Sequence, residues 1–234
     1  MNLKEYRTGV RTGLPVGLGY FSVSFGFGAM AVSKGLSVWN ATLISAANLT
    51  SAGQFAGLPL MVAQASLIEA ALTQLVINLR YALMSLSLSQ KLDHTMTTLH
   101  RMVFSFCNTD EIFAVASSQP GKVGRWYLYG LMSTPWLGWA LGTLLGAVAG
   151  QLLPVFFRQA LGIAIYGMFL AIILPPARRE RPVRVVVLLA VGMSLCFRYL
   201  PVLSRLSSGF VIIICAVVAS AVGALMFPVK EDAP

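Results

Sequence analysis

Charge is scarce in this sequence. Only 11% of its 234 residues are Asp, Glu, Lys or Arg, and acidic side chains are scarcer still, 8 against 17 basic ones. An ordinary soluble domain carries about 25% charged residues. With 57% of its residues hydrophobic, a water-soluble fold of this size could not hide its apolar surface, because its own outside must face water. Cysteine is also sparse. Cys107, Cys196 and Cys215 lie inside apolar stretches, the count is odd and no CxxC occurs, so neither a disulfide framework nor a zinc site is indicated. His94 and His100 sit in a connection without matching carboxylate or cysteine spacing, so no metal site is read there. A phosphate loop, a dinucleotide glycine pattern and HExxH are all missing. These gaps argue against ATP-driven pumping within the chain, against enzymatic function and against a bound cofactor. Ser, His and Asp occur, but nothing in the sequence places them together.

What the sequence does contain is long apolar runs, with a mean hydropathy of +0.77. A helix needs about 20 mostly apolar residues to cross a bilayer. Eight segments approach or meet that length: 13–32, 38–62, 66–89, 101–118, 124–149, 159–176, 183–203 and 207–227. The expected fold is therefore an all-α, polytopic bundle in a lipid bilayer, a single domain over 1–234. The first run follows Lys4, Arg7 and Arg11 but continues to Val32 with no small-x-small cleavage pattern, which reads as a retained span rather than a signal peptide. The net charge of +9 does not point to nucleic acid, since the basic residues lie between apolar runs instead of forming a stripe.

Those basic residues set an orientation. If all eight segments cross, one side holds Lys4, Arg7, Arg11, Lys122, Arg125, Arg178, Arg179, Arg181, Arg184 and Lys230. The other holds Lys34, Lys91, Arg101, Arg158 and Arg205. The imbalance predicts cytoplasmic N- and C-termini. Segment 38–62 strains this scheme, because Asn48, Thr50, Ser51, Gly53, Gln54, Gly57 and Pro59 lie within it. It is expected to be a broken helix that still crosses, or else a re-entrant pair of half-helices.

Polar residues inside spans are costly and so informative. Arg80 lies mid-segment, and Gln74, Asn78, Tyr81 and Ser85 share a face beside it. Its planar fork suits a carboxylate, either a substrate's or that of Asp110 or Glu111; the bland alternative is a tie to backbone carbonyls at a helix break. Glu69 sits near the end of the same segment, within reach of the interface. In Asn108-Thr109-Asp110-Glu111, one carboxylate could handle a proton or ion, or Asp110 could simply sit at a helix N-terminus, as its neighbours Asn108 and Thr109 would suit. The cluster Asn48-Leu49-Thr50-Ser51-Ala52-Gly53-Gln54 matches an interrupted transporter helix, against a rival reading of close small-residue packing. Candidate substrate contacts are thus Asn48, Ser51, Gly53, Gln54, Asn78, Arg80 and Asn108, with Asp110 and Glu111 for coupling. Arg198, near a segment end, reads as snorkelling to the interface. Gly13, Gly17, Gly19, Gly26 and Gly28 suggest a tightly packed first span, and Gly138, Gly142 and Gly146 recur every four residues.

The same clusters carry a resemblance. Thr50-Ser51-Ala52-Gly53-Gln54-Phe55-Ala56-Gly57, Asn78-Leu79-Arg80-Tyr81, Thr109-Asp110-Glu111-Ile112-Phe113 and the opening Gly13-Leu14-Pro15-Val16-Gly17-Leu18-Gly19-Tyr20 resemble motifs of the AzlC family of branched-chain amino acid permeases. Many members carry Ala-Gln-Phe where this chain has Gly53-Gln54-Phe55, and His where it has Tyr81. The resemblance implies ion-driven export of branched-chain amino acids across a bacterial inner membrane, with a small AzlD-type membrane subunit as partner. A channel, or a non-transporting membrane subunit that supports a partner transporter, are the rival functions.

Overall fold

The computed structural model describes residues 2–152, 156, 170, 173–201, 203 and 206–228. All named elements among them are helices: α1 (Leu3–Ser33), α2 (Val38–Ala47), α3 (Ser51–Val62), α4 (Leu67–Ser89), α5 (Thr98–Ser105), α6 (Asp110–Ser118), α7 (Arg125–Leu152), α8 (Arg181–Tyr199) and α9 (Ser208–Met226). Of these, α1, α4, α7, α8 and α9 are long and apolar enough to cross a membrane. The described residues thus contain five candidate spans, which leaves the expected count of eight unconfirmed. Segment 38–62 is the half-helix pair α2–α3, and segment 101–118, expected as a single span, is a second pair, α5–α6. Most of segment 159–176, and the tail from Lys230, lie outside the described residues.

The chain divides into two compact units, one built from described residues within 1–55 and 78–165, the other within 56–77 and 166–234. The first is organised on α1 and α7. Gly9 faces Tyr127 and Leu131, Gly17 faces Thr134 and Pro135, and Gly28 faces Thr143 and Ala147. Residue numbers rise together on the two helices, so α1 and α7 run parallel. Gly13, Gly17 and Gly28 of the first anticipated stripe and Gly138, Gly142 and Gly146 of the second lie in this contact, whereas Gly19 faces nothing within 4 Å. A Cβ at Gly17 would sit 2.7 Å from the Thr134 carbonyl oxygen, and one at Gly150 would sit 2.9 Å from Ala29 Cα. In lipid there is little hydrophobic force between helices, so such close backbone approach supplies the packing energy.

The end where α1 and α7 begin, here the near end, also gathers the links 90–97 and 119–124. Val123 N–H donates to the Lys91 carbonyl and Asp93 N–H to the Val123 carbonyl, both at 3.0 Å. Lys122 Nζ donates to the Gln90 carbonyl at 3.0 Å, and Lys91 Nζ donates to the Ser117 carbonyl at the end of α6. Helix α5 starts at the same end, where His100 Nδ1 lies 2.6 Å from the Tyr129 hydroxyl and 3.2 Å separate His100 Nε2 from Arg125 Nη1. So α5 climbs from the near end and α6 returns to it. Their 8 and 9 residues reach only about 12–14 Å each at 1.5 Å per residue, too short to cross. His100 is accordingly a helix residue rather than part of a connection.

This corrects the charge assignment. Lys91 and Arg101, placed opposite the N-terminus when segment 101–118 was counted as crossing, lie at the same end as Lys4, Arg7, Arg11, Lys122 and Arg125. Helix α2 comes from the opposite, far end. It starts just past the α1 terminus, after Gly35 in a left-handed conformation (φ 97°), and runs inward until Ser45 meets Thr143 and the Ala46 carbonyl meets Trp136.

In the second unit, α8 packs on α9, with Val186 against Gly223. Glu69 is 5% exposed and does not reach an interface. Its Oε1 accepts from Gly209 N–H at 3.0 Å and from the Ser207 hydroxyl at 2.5 Å. A carboxylate at the unsatisfied amides of a helix start is favoured both by hydrogen bonding and by the helix dipole, which explains its burial there. Arg198 is exposed in the last turn of α8.

Candidate functional site

The two half-helix pairs break at mid-depth of the first unit. At the first break Asn48 is extended (φ −152°, ψ 106°), and Thr50 caps α3 by accepting Gly53 N–H at 3.3 Å. At the second, Thr109 is extended ahead of α6, whose first turn carries Asp110 and Glu111, acids well placed against the positive helix start. Thr109 occupies the N-cap position without a side-chain cap hydrogen bond, and Asp110 is the first helical residue.

Gln54 secures the first break. It is 2% exposed and uses its whole amide. Its Oε1 accepts from Trp139 Nε1 (3.1 Å) and from Ser45 Oγ (3.2 Å); its Nε2 donates to the carbonyls of Asn48 (2.5 Å) and Ile44 (3.3 Å). Thr143 in turn donates to Ser45 at 2.7 Å. The carbonyls left open where α2 stops are thus closed by a side chain from α3. Its amide therefore has no bonding capacity left over in this conformation. Gly53 is likewise buried against the break, and Ser51 begins α3.

Tyr20 holds the second break. Its hydroxyl donates to Glu111 and is hydrogen-bonded with Thr109 Oγ1 at 2.6 Å. Arg80 reaches Asp110, with Nη1 2.5 Å from Oδ2, and its guanidinium lies 5.1 Å from the centre of the Tyr81 ring. Of the two partners considered for Arg80, the chain's own carboxylate is the one engaged here.

Between the breaks is a cavity of about 280 Å³. Asn48, Asn78 and Asn108 line it, together with Thr50, Tyr81 and Ser105 and the apolar Ala47, Leu49 and Phe106. Thr50 donates to Asn78 Oδ1 at 2.9 Å and accepts from the Tyr81 hydroxyl at 3.2 Å. Asn108 is 4% exposed; its Nδ2 donates to Ser85 at 3.0 Å, but its Oδ1 has no hydrogen-bond partner. A buried carbonyl left unmatched costs about 1–3 kcal/mol, so a ligand donor would be welcome there. A second cavity of about 250 Å³ lies between α4 and α5 and shares Ser105 and Asn108 with the first.

Of the sequence candidates, the structure brings Asn48, Asn78 and Asn108 to the central cavity and pairs Arg80 with Asp110 beside it. It does not bring Ser51, Gly53 or Gln54 to the cavity wall. Reading the sequence missed Tyr20, although it lies in the motif Gly17-Leu18-Gly19-Tyr20; a phenol among apolar residues at mid-span was the available signal.

A family model described as AzlC protein matches residues 15–153, from α1 to the end of α7. The chain belongs to the AzlC family. Among curated relatives, an uncharacterized membrane protein of Archaeoglobus fulgidus is 32% identical over 172 residues, covering 73% of this chain and 75% of that protein. The inner membrane protein YgaZ of Escherichia coli strain K12 is 27% identical over 183 residues, 75% of each chain. An uncharacterized membrane protein of Helicobacter pylori strain 26695 is 24% identical, covering 76% of this chain and 78% of that one. No solved structure matches. This AzlC-family chain is therefore a helical membrane protein, and the matched stretch contains both half-helix pairs and the central cavity.

Proposed function

We propose that this AzlC-family protein is a secondary transporter that exports branched-chain, aliphatic amino acids from the cytoplasm across the inner membrane. The observation that carries the proposal is the central cavity between two helix breaks, polar on the Thr50–Asn78–Asn108 side and apolar at Leu49 and Phe106. Interrupted helices place half-helix ends of opposite polarity at mid-membrane, which suits a zwitterion. The Arg80–Asp110 pair suits it further. A substrate carboxylate can replace Asp110 on Arg80, while its ammonium takes Asp110 and nearby carbonyls. In this scheme Asp110, or Glu111 released from Tyr20, couples transport to a proton or other ion. An apolar pocket separates side chains differing by one methylene by only about 1–3 kcal/mol, so overlapping use of Leu, Ile, Val and Met follows.

Among the described residues of the first unit, the near end carries Lys4, Arg7, Arg11, Lys91, Arg101, Lys122 and Arg125, against Lys34 at the far end. That bias supports a near end facing the cytoplasm. A small AzlD-type membrane subunit completes the proposed assembly. The test is counterflow of radiolabelled leucine in proteoliposomes, with and without the small subunit. Saturable exchange shared by the aliphatic amino acids supports the carrier. Flux with neither saturation nor counterflow would point to a channel and overturn the proposal, as would no flux with the pair.

A further inference from the structure

The second cavity has no part in the scheme above. It opens between α4 and α5, with Leu88, Met102 and Phe104 as apolar wall and Thr98 and Arg101 toward the near end. Arg101 Nε donates to the Met96 carbonyl at 3.1 Å, which orients the guanidinium. Among the described residues no carboxylate pairs with it. Ser105 lies one helical turn further in, about 6 Å along the axis, and Asn108, with its unpartnered Oδ1, borders both cavities. One cation at the mouth of an apolar chamber, leading to an amide with spare acceptor capacity, is the pattern a zwitterion with an aliphatic side chain would fit.

We infer that this second cavity is a vestibular subsite for an aliphatic amino acid, with Arg101 taking its carboxylate before Ser105 and Asn108 pass it to the central cavity. The inference rests on the transporter proposal. It assigns Arg101 a role that membrane orientation alone does not require, since a lysine would satisfy orientation equally but lacks the two-pronged carboxylate geometry.

The experiment uses the full chain in proteoliposomes with the Arg101→Gln and Arg101→Lys variants. A second set carries Thr98→Cys, with Cys196 and Cys215 replaced by Ser, and is treated with a membrane-impermeant maleimide. Leucine is expected to slow labelling at position 98, and leucinamide, lacking the carboxylate, is not. Arg101→Gln should remove the protection and raise the half-saturating leucine concentration about tenfold, with the maximal rate within about twofold, the signature of lost binding rather than lost turnover. Arg101→Lys should fall between. Unchanged half-saturation or undiminished protection in Arg101→Gln, in a protein whose wild type exchanges leucine, overturns the subsite and leaves the transporter proposal standing. A wild type that moves no aliphatic amino acid overturns both.

Discussion

The ring of Tyr20 on α1 meets the ring of Trp139 on α7 edge to face, with centroids 5.3 Å apart and planes at 74°. Each ring also holds one helix break, Tyr20 through Thr109 and Glu111, Trp139 through Gln54. The two breaks therefore share a support at the centre of the closely packed α1–α7 pair. Tyr20→Phe keeps the ring contact and removes only the hydroxyl. The expected result is a protein that inserts and purifies normally but exchanges leucine at least about tenfold more slowly, a rise of about 1.4 kcal/mol in the transport barrier. Exchange at the wild-type rate would separate Tyr20 from function.

Gln54→Leu should act on stability. It preserves bulk but strands Trp139 Nε1, Ser45 Oγ and the Ile44 and Asn48 carbonyls in a buried place. Each unmatched buried group costs about 1–3 kcal/mol, and partial relaxation leaves an expected net loss of about 2–4 kcal/mol. Thermal unfolding in detergent, followed by tryptophan fluorescence, reads this directly; an unchanged midpoint would contradict the bonding described for Gln54.

Arg80→Gln is expected to abolish exchange while the protein still inserts. The Arg80 and Asp110 side chains are 48% and 43% exposed within the chain, which leaves the pair open to exchange with a substrate carboxylate. Normal counterflow by this variant would remove Arg80 from the mechanism.

The glycine stripes allow a paired comparison. Gly17→Ala forces a methyl toward the Thr134 carbonyl and should cost about 1–3 kcal/mol. Gly19→Ala, on the same helix with nothing within 4 Å of the added carbon, should be neutral or slightly stabilising. Equal midpoints for the two variants would rule out the close α1–α7 approach.

Single cysteines test the turning-back of the half-helices. Cysteines replacing Lys91 and Lys122 should label from the same side of the membrane as the N-terminus, and one replacing Lys34 from the opposite side. Labelling of positions 91 and 122 from opposite sides would mean that segment 101–118 crosses.

Much of this protein was legible one residue at a time. The scarcity of charge determined that lipid is the solvent, because apolar surface on this scale has no other stable surroundings. Small and polar residues at 48–54 marked the first break, since Asn, Thr and Ser bind their own backbone and compete with a continuing helix. The spacing of Gly138, Gly142 and Gly146 marked a packing face, because glycine alone lets two backbones approach that closely. The second break was harder to see. Its stretch is apolar on average, and hydropathy records how much of a segment prefers lipid, not whether the chain leaves by the end it entered.

That direction was decided by tertiary contacts between residues far apart in sequence, Lys91 with Ser117 and Leu92 with Val123, and it moved Lys91 and Arg101 to the other side of the charge count. The same holds for individual side chains. Gln54, Glu69 and Arg80 were each conspicuous as polar residues in lipid, but a polar group's role depends on what satisfies it. Only the folded chain shows Gln54 spent on a helix break, Glu69 on the start of α9, and Arg80 paired with Asp110 beside a cavity whose Asn108 still has a bond to make.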